Sequence, residues 1–353
     1  MSPLVPVRSV RLSLAALGLI LGAADASADV VNLIPGTTFK QGQGGAVRGL
    51  VTAESPEQVV VSLGNSTINV PTDQIDSIEY QGQPASMQLG ETNAAAGRAA
   101  EALAQFKKAA TEAAGKPFVV EAAQFREAAT LADLALTEPD RAKEALATLA
   151  AFLQAHPKGR HVVPARETLA RLQLHAQDLK GAEANIAELA KLAPGAEKAA
   201  VLKARLLLKS GDPASAGADL DRLIAAATDG SPRQVELKLV KAETLIAASK
   251  SDEAESLVRQ VIAAADADDA AVQSRAYNTL GDSLSAAARP KDALLAYLHV
   301  DLLYGKDKEE HPRALRRIEQ IFRKMGQLPR ADEYAQRLKQ DYPNSVWAKQ
   351  PQG

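Results

Sequence analysis

The chain has 353 residues, room for two or three ordinary domains or one long array, and its 46% apolar content excludes a mostly disordered polymer. Aromatic residues reach only 4% while alanine is abundant, so a core has to come from thin helices that approach closely rather than from large rings. A formal charge of −2 supplies no field for nucleic acid or an anionic bilayer, and the lack of cysteine excludes both a disulfide framework and a lipid-attachment thiol.

Residues 1–28 read as a secretory leader and are set aside from the fold. Arg8 and Arg11 give a positive start, Leu12 to Ala24 an apolar run, and Ala26, Ser27 and Ala28 the small residues of a cleavage site before Asp29. That run is short for a permanent span, and no later segment has the roughly 18 consecutive apolar residues of a membrane helix. The expected mature chain is exported, periplasmic or secreted, and has no membrane span.

Residues 29–82 change to a period of two, with β-branched residues between turn signals. Strands are predicted at Val30 to Ile34, Val47 to Ala53, Gln58 to Leu63, Thr67 to Val70 and Ile75 to Tyr80. Gly64, Asn65 and Ser66 supply a tight hairpin, because Gly and Asn accept positive φ at low cost. The same stretch matches a glycosylation acceptor at Asn65 to Thr67, which the hairpin explains equally well. The segment "NVPTDQIDSIEY", with one helical turn at Pro71 to Gln74 between two strands, resembles the end of an SH3-like or Sm-like small barrel. An RNA-binding role does not follow, since Lys40 and Arg48 face Asp29, Glu54, Glu57, Asp73, Asp76 and Glu79. "GQGG" at Gly42 to Gly45 lacks the Lys and Ser or Thr of a phosphate loop and reads as a strand connection.

From residue 84 onward the period is helical. In "YNTLGDSLSAAARPKDALLAYLHV", Tyr277, Leu280, Gly281 and Leu284 fall on one face of a helix, and Ala293, Tyr297 and Val300 on one face of a second. Small residues at Gly281 and Ala293 let the two helices cross closely. The anchoring alanine recurs at Ala102, Ala145, Ala182, Ala216, Ala254, Ala293 and Ala331, at intervals of 43, 37, 34, 38, 39 and 38. This order of large, small and aromatic residues resembles the tetratricopeptide repeat (TPR), a helix-turn-helix unit of about 34 residues. The fold class it implies is mainly α. A right-handed α-solenoid of about seven TPR-like hairpins over residues 84–348 follows the small all-β barrel-like module, with a tail at 349–353. "KPFVVE" and "ADADDA" sit where the longer intervals need extra residues, and the 43-residue interval makes the pairing of the first two repeats the least regular.

No residue pattern points to catalysis, a cofactor or a metal. His156, His161, His175, His299 and His311 lack zincin spacing, with His156 and His311 read as surface imidazoles at helix boundaries. "DADDA" at Asp266 to Ala270 lacks the Gly and Glu of a calcium loop and reads as a solvated turn.

A stacked array binds through the concave surface of its first helices. The TPR resemblance implies that Arg171, Leu174 and His175 face that groove, as do Lys198, Arg205, Leu208, Lys209, Arg275 and Asn278. In the last repeat it implies a stripe of Arg313, Arg316, Gln320, Arg323 and Lys324. Such cations suit a protein or peptide partner with acidic groups. The leading functional expectation is an exported, non-enzymatic scaffold for protein partners. Its rivals are a structural envelope protein that self-assembles into homo-oligomers and an enzyme of envelope polymers with its site in the β module. If the leader reading holds, mature protein starts at Asp29 and lies outside the cytoplasm, as N-terminal sequencing of fractionated cells will show. Cytosolic material still beginning at Met1 overturns it.

Overall fold

The computed structural model describes residues 28–41 and 44–349, so the leader apart from Ala28, and part of the "GQGG" connection, lie outside the described residues. The chain begins with five antiparallel strands: β1 (Asp29–Leu33), β2 (Ala46–Glu54), β3 (Gln58–Ser62), β4 (Thr67–Pro71) and β5 (Ile75–Glu79). A 3-10 turn at Thr72–Gln74 joins the last two. The sheet order is β4-β3-β2-β1-β5, with β4 and β5 at its two edges. Alternation puts Val31, Val59, Val61 and Val70 inside at 0% exposure. Asp29 also points inward, and its carboxylate accepts the amides of Val51 and Gln81, both at 2.7 Å. Those bonds replace the water lost on burial.

Seven helical hairpins follow: α1 (Ala85–Ala95) with α2 (Ala99–Glu112), α3 (Pro117–Thr137) with α4 (Ala142–Ala155), and α5 (Val162–His175) with α6 (Leu179–Ala190). Then come α7 (Ala196–Ser210) with α8 (Pro213–Ala226), α9 (Pro232–Ala247) with α10 (Ser251–Ala264), and α11 (Ala270–Ala286) with α12 (Pro290–Leu303). The last pair, α13 (Glu310–Lys324) with α14 (Leu328–Asp341), carries a short α15 (Val346–Lys349). The long first interval is taken up by α3, whose 21 residues begin at Pro117 and absorb all of "KPFVVE" but its lysine, and by a 3-10 turn at Pro139–Arg141. "ADADDA" does form a turn, where Asp269 caps α11 by accepting the Val272 amide.

Six of the seven hairpins turn in the same way. One residue takes a left-handed φ, at Gly97, Gln177, Gly211, Ser249, Ala288 and Gly326. The amide of the next residue then reaches back five positions to a carbonyl, as Arg289 does to Leu284 at 2.9 Å. This closes the first helix of each pair and aims the second back along it.

The two helices of a hairpin cross on very small residues. All seven anchoring alanines have 0% exposure. A Cβ added to Gly90 would lie 2.6 Å from the Phe106 ring, and Gly281 meets Tyr297 in the same way. Both pairs carry the same offset within their repeats, so a glycine on the first helix seats the aromatic ring of the second.

Apolar packing is continuous from the sheet into the array, joining Val31, Val47 and Ile78 to Met87, Phe106 and Ala122. At the far end, Lys308 Nζ donates to the Gly97 carbonyl at 3.4 Å across 211 residues of sequence, so the array winds until its last repeat returns to its first. His311 is buried at 5% exposure, which corrects its reading as a surface imidazole. Its ring bonds Asp301 at 2.8 Å and Tyr342 at 2.7 Å, pinning α12 to the end of α14.

Replacing Ala293 by Leu should overpack the α11–α12 crossing and destabilise by about 1 to 3 kcal/mol. Replacing Ala288, with φ 58°, by Gly should stabilise by up to about 1 kcal/mol. Thermal melts of the two variants check opposite signs five residues apart.

Candidate functional site: the concave groove

Successive first helices touch one another from α3 to α13 and line the inside of the superhelix. They enclose a groove of about 770 Å³ that gathers Arg171, Lys198, Arg205, Arg275 and Arg313. Leu174, His175, Leu208 and Lys209 lie beside it in a pocket of about 300 Å³ that also takes in Leu136. Burial first, then Lys209, holds the His175 pKa below the ordinary histidine value.

The cations do not stand alone. Lys198 pairs with Glu167, and Arg205 with Glu236 at 2.9 Å. Arg275 pairs with Glu243 at 2.8 Å, and Arg313 with Asp282 and, at 3.1 Å, Glu310. The bridges between neighbouring first helices span 31 or 32 residues, a little less than one repeat. Burial alone would raise the Glu243 pKa, but Arg275 and Arg205 outweigh it and hold it below the glutamate value. Burial alone would lower the Arg313 pKa, and Asp282, Glu310 and Glu243 reverse that. The floor of the groove is thus a ladder of opposite charges, with Glu197, Glu236, Glu243, Glu309 and Glu310 set among the cations. A run of acidic residues meets as much repulsion as attraction there, which corrects the expectation of a cation-lined groove.

Arg171 differs. It is exposed, lines both spaces and has no ion pair within 4.0 Å among the described residues. Asp133 and Glu309 feel its charge, but burial dominates and keeps both their pKa values raised.

Two residues expected in the groove are sealed away from it. Asn278 has 0% exposure and donates to the Glu310 carbonyl at 2.9 Å and its carboxylate at 2.7 Å. Arg316 has 3% exposure and lies 3.3 Å from Glu319. Arg323 is held by Glu319 at 2.7 Å and Asp332 at 3.1 Å, while Lys324 is exposed at the helix end. The four-cation stripe is therefore corrected. Arg313, which lines the groove, and Arg317, four residues on, both meet Asp282. Arg316 sits about 100° around the helix from Arg317. The carboxylates were the missing signal: Glu236 and Glu243, seven apart on α9, form one stripe.

A second space, of about 360 Å³, separates β5 from α3 and α5 and runs into the groove through Asp73, Pro194 and Lys198. One wall is Arg160, which faces the buried Glu54 at 3.4 Å, while the Tyr80 hydroxyl donates to the other Glu54 oxygen at 2.5 Å. Burial pushes the Glu54 pKa up to about 7, against Arg160 and Tyr80 and helped by Glu121 and Asp29. Next to it, burial and then Arg160 bring the His161 pKa down to about 3, although its ring nitrogen lies 3.0 Å from Glu121.

A tetratricopeptide repeat protein from Parabacteroides merdae superposes on this chain with a TM-score of 0.53 at 15% identity, covering 72% of this chain and 91% of that one. The fold is a TPR-like solenoid. A Rap protein complexed with Competence and Sporulation Factor superposes with a TM-score of 0.51 at 12% identity, covering 75% of this chain and 77% of that one. No protein-family model matches the TPR-like chain, and no curated protein does.

Glu54 yields a pH test. Its folded pKa is raised above the unfolded value, so its contribution is complete below about pH 4.5 and is lost as pH rises through about 7. His161, with a lowered folded pKa, works in the opposite sense. Comparing Glu54→Gln with the parent isolates the first. The variant's relative stability should climb by about 2 to 3 kcal/mol between pH 4.5 and 8 in denaturant titrations.

Proposed function

We propose that the protein is an exported, non-enzymatic scaffold that holds an extended segment of a partner protein in its concave groove. The observation that carries this reading is the groove of about 770 Å³, walled by bridged charges and entered by the unpaired head of Arg171. Bridges between neighbouring helices fix the groove's shape in advance, which lowers the ordering cost of binding. The side pocket with Leu136, Leu174 and Leu208 suits an apolar side chain, and Arg171 a single carboxylate beside it. Export rests on residues 1–28 of the sequence. A similar solenoid, the Rap protein, is complexed with Competence and Sporulation Factor.

A second reading, association of the chain with itself, is favoured by three exposed leucines on α12, Leu295 at 67%, Leu302 at 77% and Leu303 at 63%. Light scattering over a range of concentrations separates the two. For the groove, the mature chain and its Arg171→Glu variant are immobilised and offered a cell-envelope fraction. The variant should retain the parent's melting temperature and capture about tenfold less of any specific partner, about 1.4 kcal/mol. Equal capture by both overturns the groove as the binding surface.

A further inference from the structure

We propose that the open edge of β5 receives one extended polypeptide segment as an added strand, within the cleft between the sheet and α3, α5 and α7. The proposal deepens the groove reading and rests on it, because the cleft and the groove share Asp73, Pro194 and Lys198 and so form one path for one chain.

The backbone supplies the first argument. β5 pairs with β1 on one side, and no strand pairs with its other side among the described residues. Along β1 the Leu33 amide donates to Gly45 on the β2 side, while the Ile34 amide donates to Gln74 on the β5 side. That alternation turns the Asn32 backbone toward Ser77, its partner in the register, and leaves the amide and carbonyl of Ile78 facing outward. Unpaired edge groups of this kind are a template for another strand.

The surroundings then select the occupant. The edge is recessed in a cleft of about 360 Å³, walled on the far side by Phe125, Arg126, Pro164 and Pro194. A single extended chain enters such a space, whereas the sheet of a second folded copy meets the helices first. The charge left over is acidic and lies on one bank. Asp73 and Asp76 stand on the sheet side, with no ion pair within 4.0 Å among the described residues, whereas on the helix side Arg126 is paired with Glu91 and Lys198 with Glu167. Met87 and Ile78 lie between the two sides. An added strand sends alternate side chains to opposite faces, so the matching segment alternates apolar residues with charged ones and places a basic residue toward Asp76.

The test uses the full chain and a phage-displayed library of random 12-residue peptides, followed by amide hydrogen exchange with one selected synthetic peptide. Bound peptide should slow exchange of the Ile78 amide by about tenfold or more. N-methylation of alternate peptide amides should weaken binding by about tenfold while the intervening positions tolerate it, as a backbone ladder requires. Asp76→Lys should lower affinity by a similar factor and leave the melting temperature unchanged. Protection confined to α5 through α11, with β5 unaltered, overturns the added strand and leaves the groove reading intact. A library without any binder overturns both. Slow exchange at β5 in peptide-free protein, together with concentration-dependent dimerisation, assigns the edge to a second copy and overturns the proposal.

Discussion

Two thin helices that cross on a single methyl group set the geometry of nearly the whole chain. At each of the seven crossings an alanine with no exposed surface holds the second helix against the first, and the larger residues fill whatever space this leaves. Because the crossing is nearly the same each time, each hairpin is rotated a little from the last, and the rotations add up to a superhelix. Its inner lining is then fixed without any long-range instruction. Lys308 meeting Gly97 is the sum of many local angles rather than a cause of them.

Curvature brings neighbouring first helices close enough for side chains to bridge them, and the ion-pair ladder follows. Each bridge is partly sheltered, so its members are neither the weakly coupled charges of an open surface nor an isolated buried pair. The ladder's value lies in rigidity and in selectivity. It fills the groove with matched charge, and a guest succeeds only by using what the bridges leave over. The sheet is joined to this frame by apolar packing and by the Glu54, Tyr80 and Arg160 cluster, which reaches past the first hairpin to the loop before α5.

Much of this frame was legible in residue order. Strand positions followed from alternating valines such as Val59 and Val61, and crossings from the recurring alanine, because both signals depend on neighbours within one turn or one hairpin. The groove was legible only by half. Arg171, Lys198 and Arg205 could be assigned to it from their place in the repeat, yet the carboxylate partners of Lys198 and Arg205 lie about one repeat away and belong to a different helix. Pairing at that distance depends on how far one hairpin is rotated against the next. The same rotation decides that Arg313 lines the groove while Arg316 is buried beside Glu319. The burial of His311 and Glu54 was not legible for a related reason: a titratable group becomes buried through residues brought in from elsewhere, and its own neighbours in sequence carry no mark of it.

The tie between the sheet and the loop before α5 gives the molecule two kinds of mechanical response. Under tension on its ends, the late hairpins peel off one after another, since each is held chiefly by the hairpin before it. Loss of the Lys308 to Gly97 contact frees the first turn of the coil. The sheet does not join that series. Pulling it away requires the apolar interface and the Arg160 bridge to yield together, so a compliant spring ends in a stiff anchor.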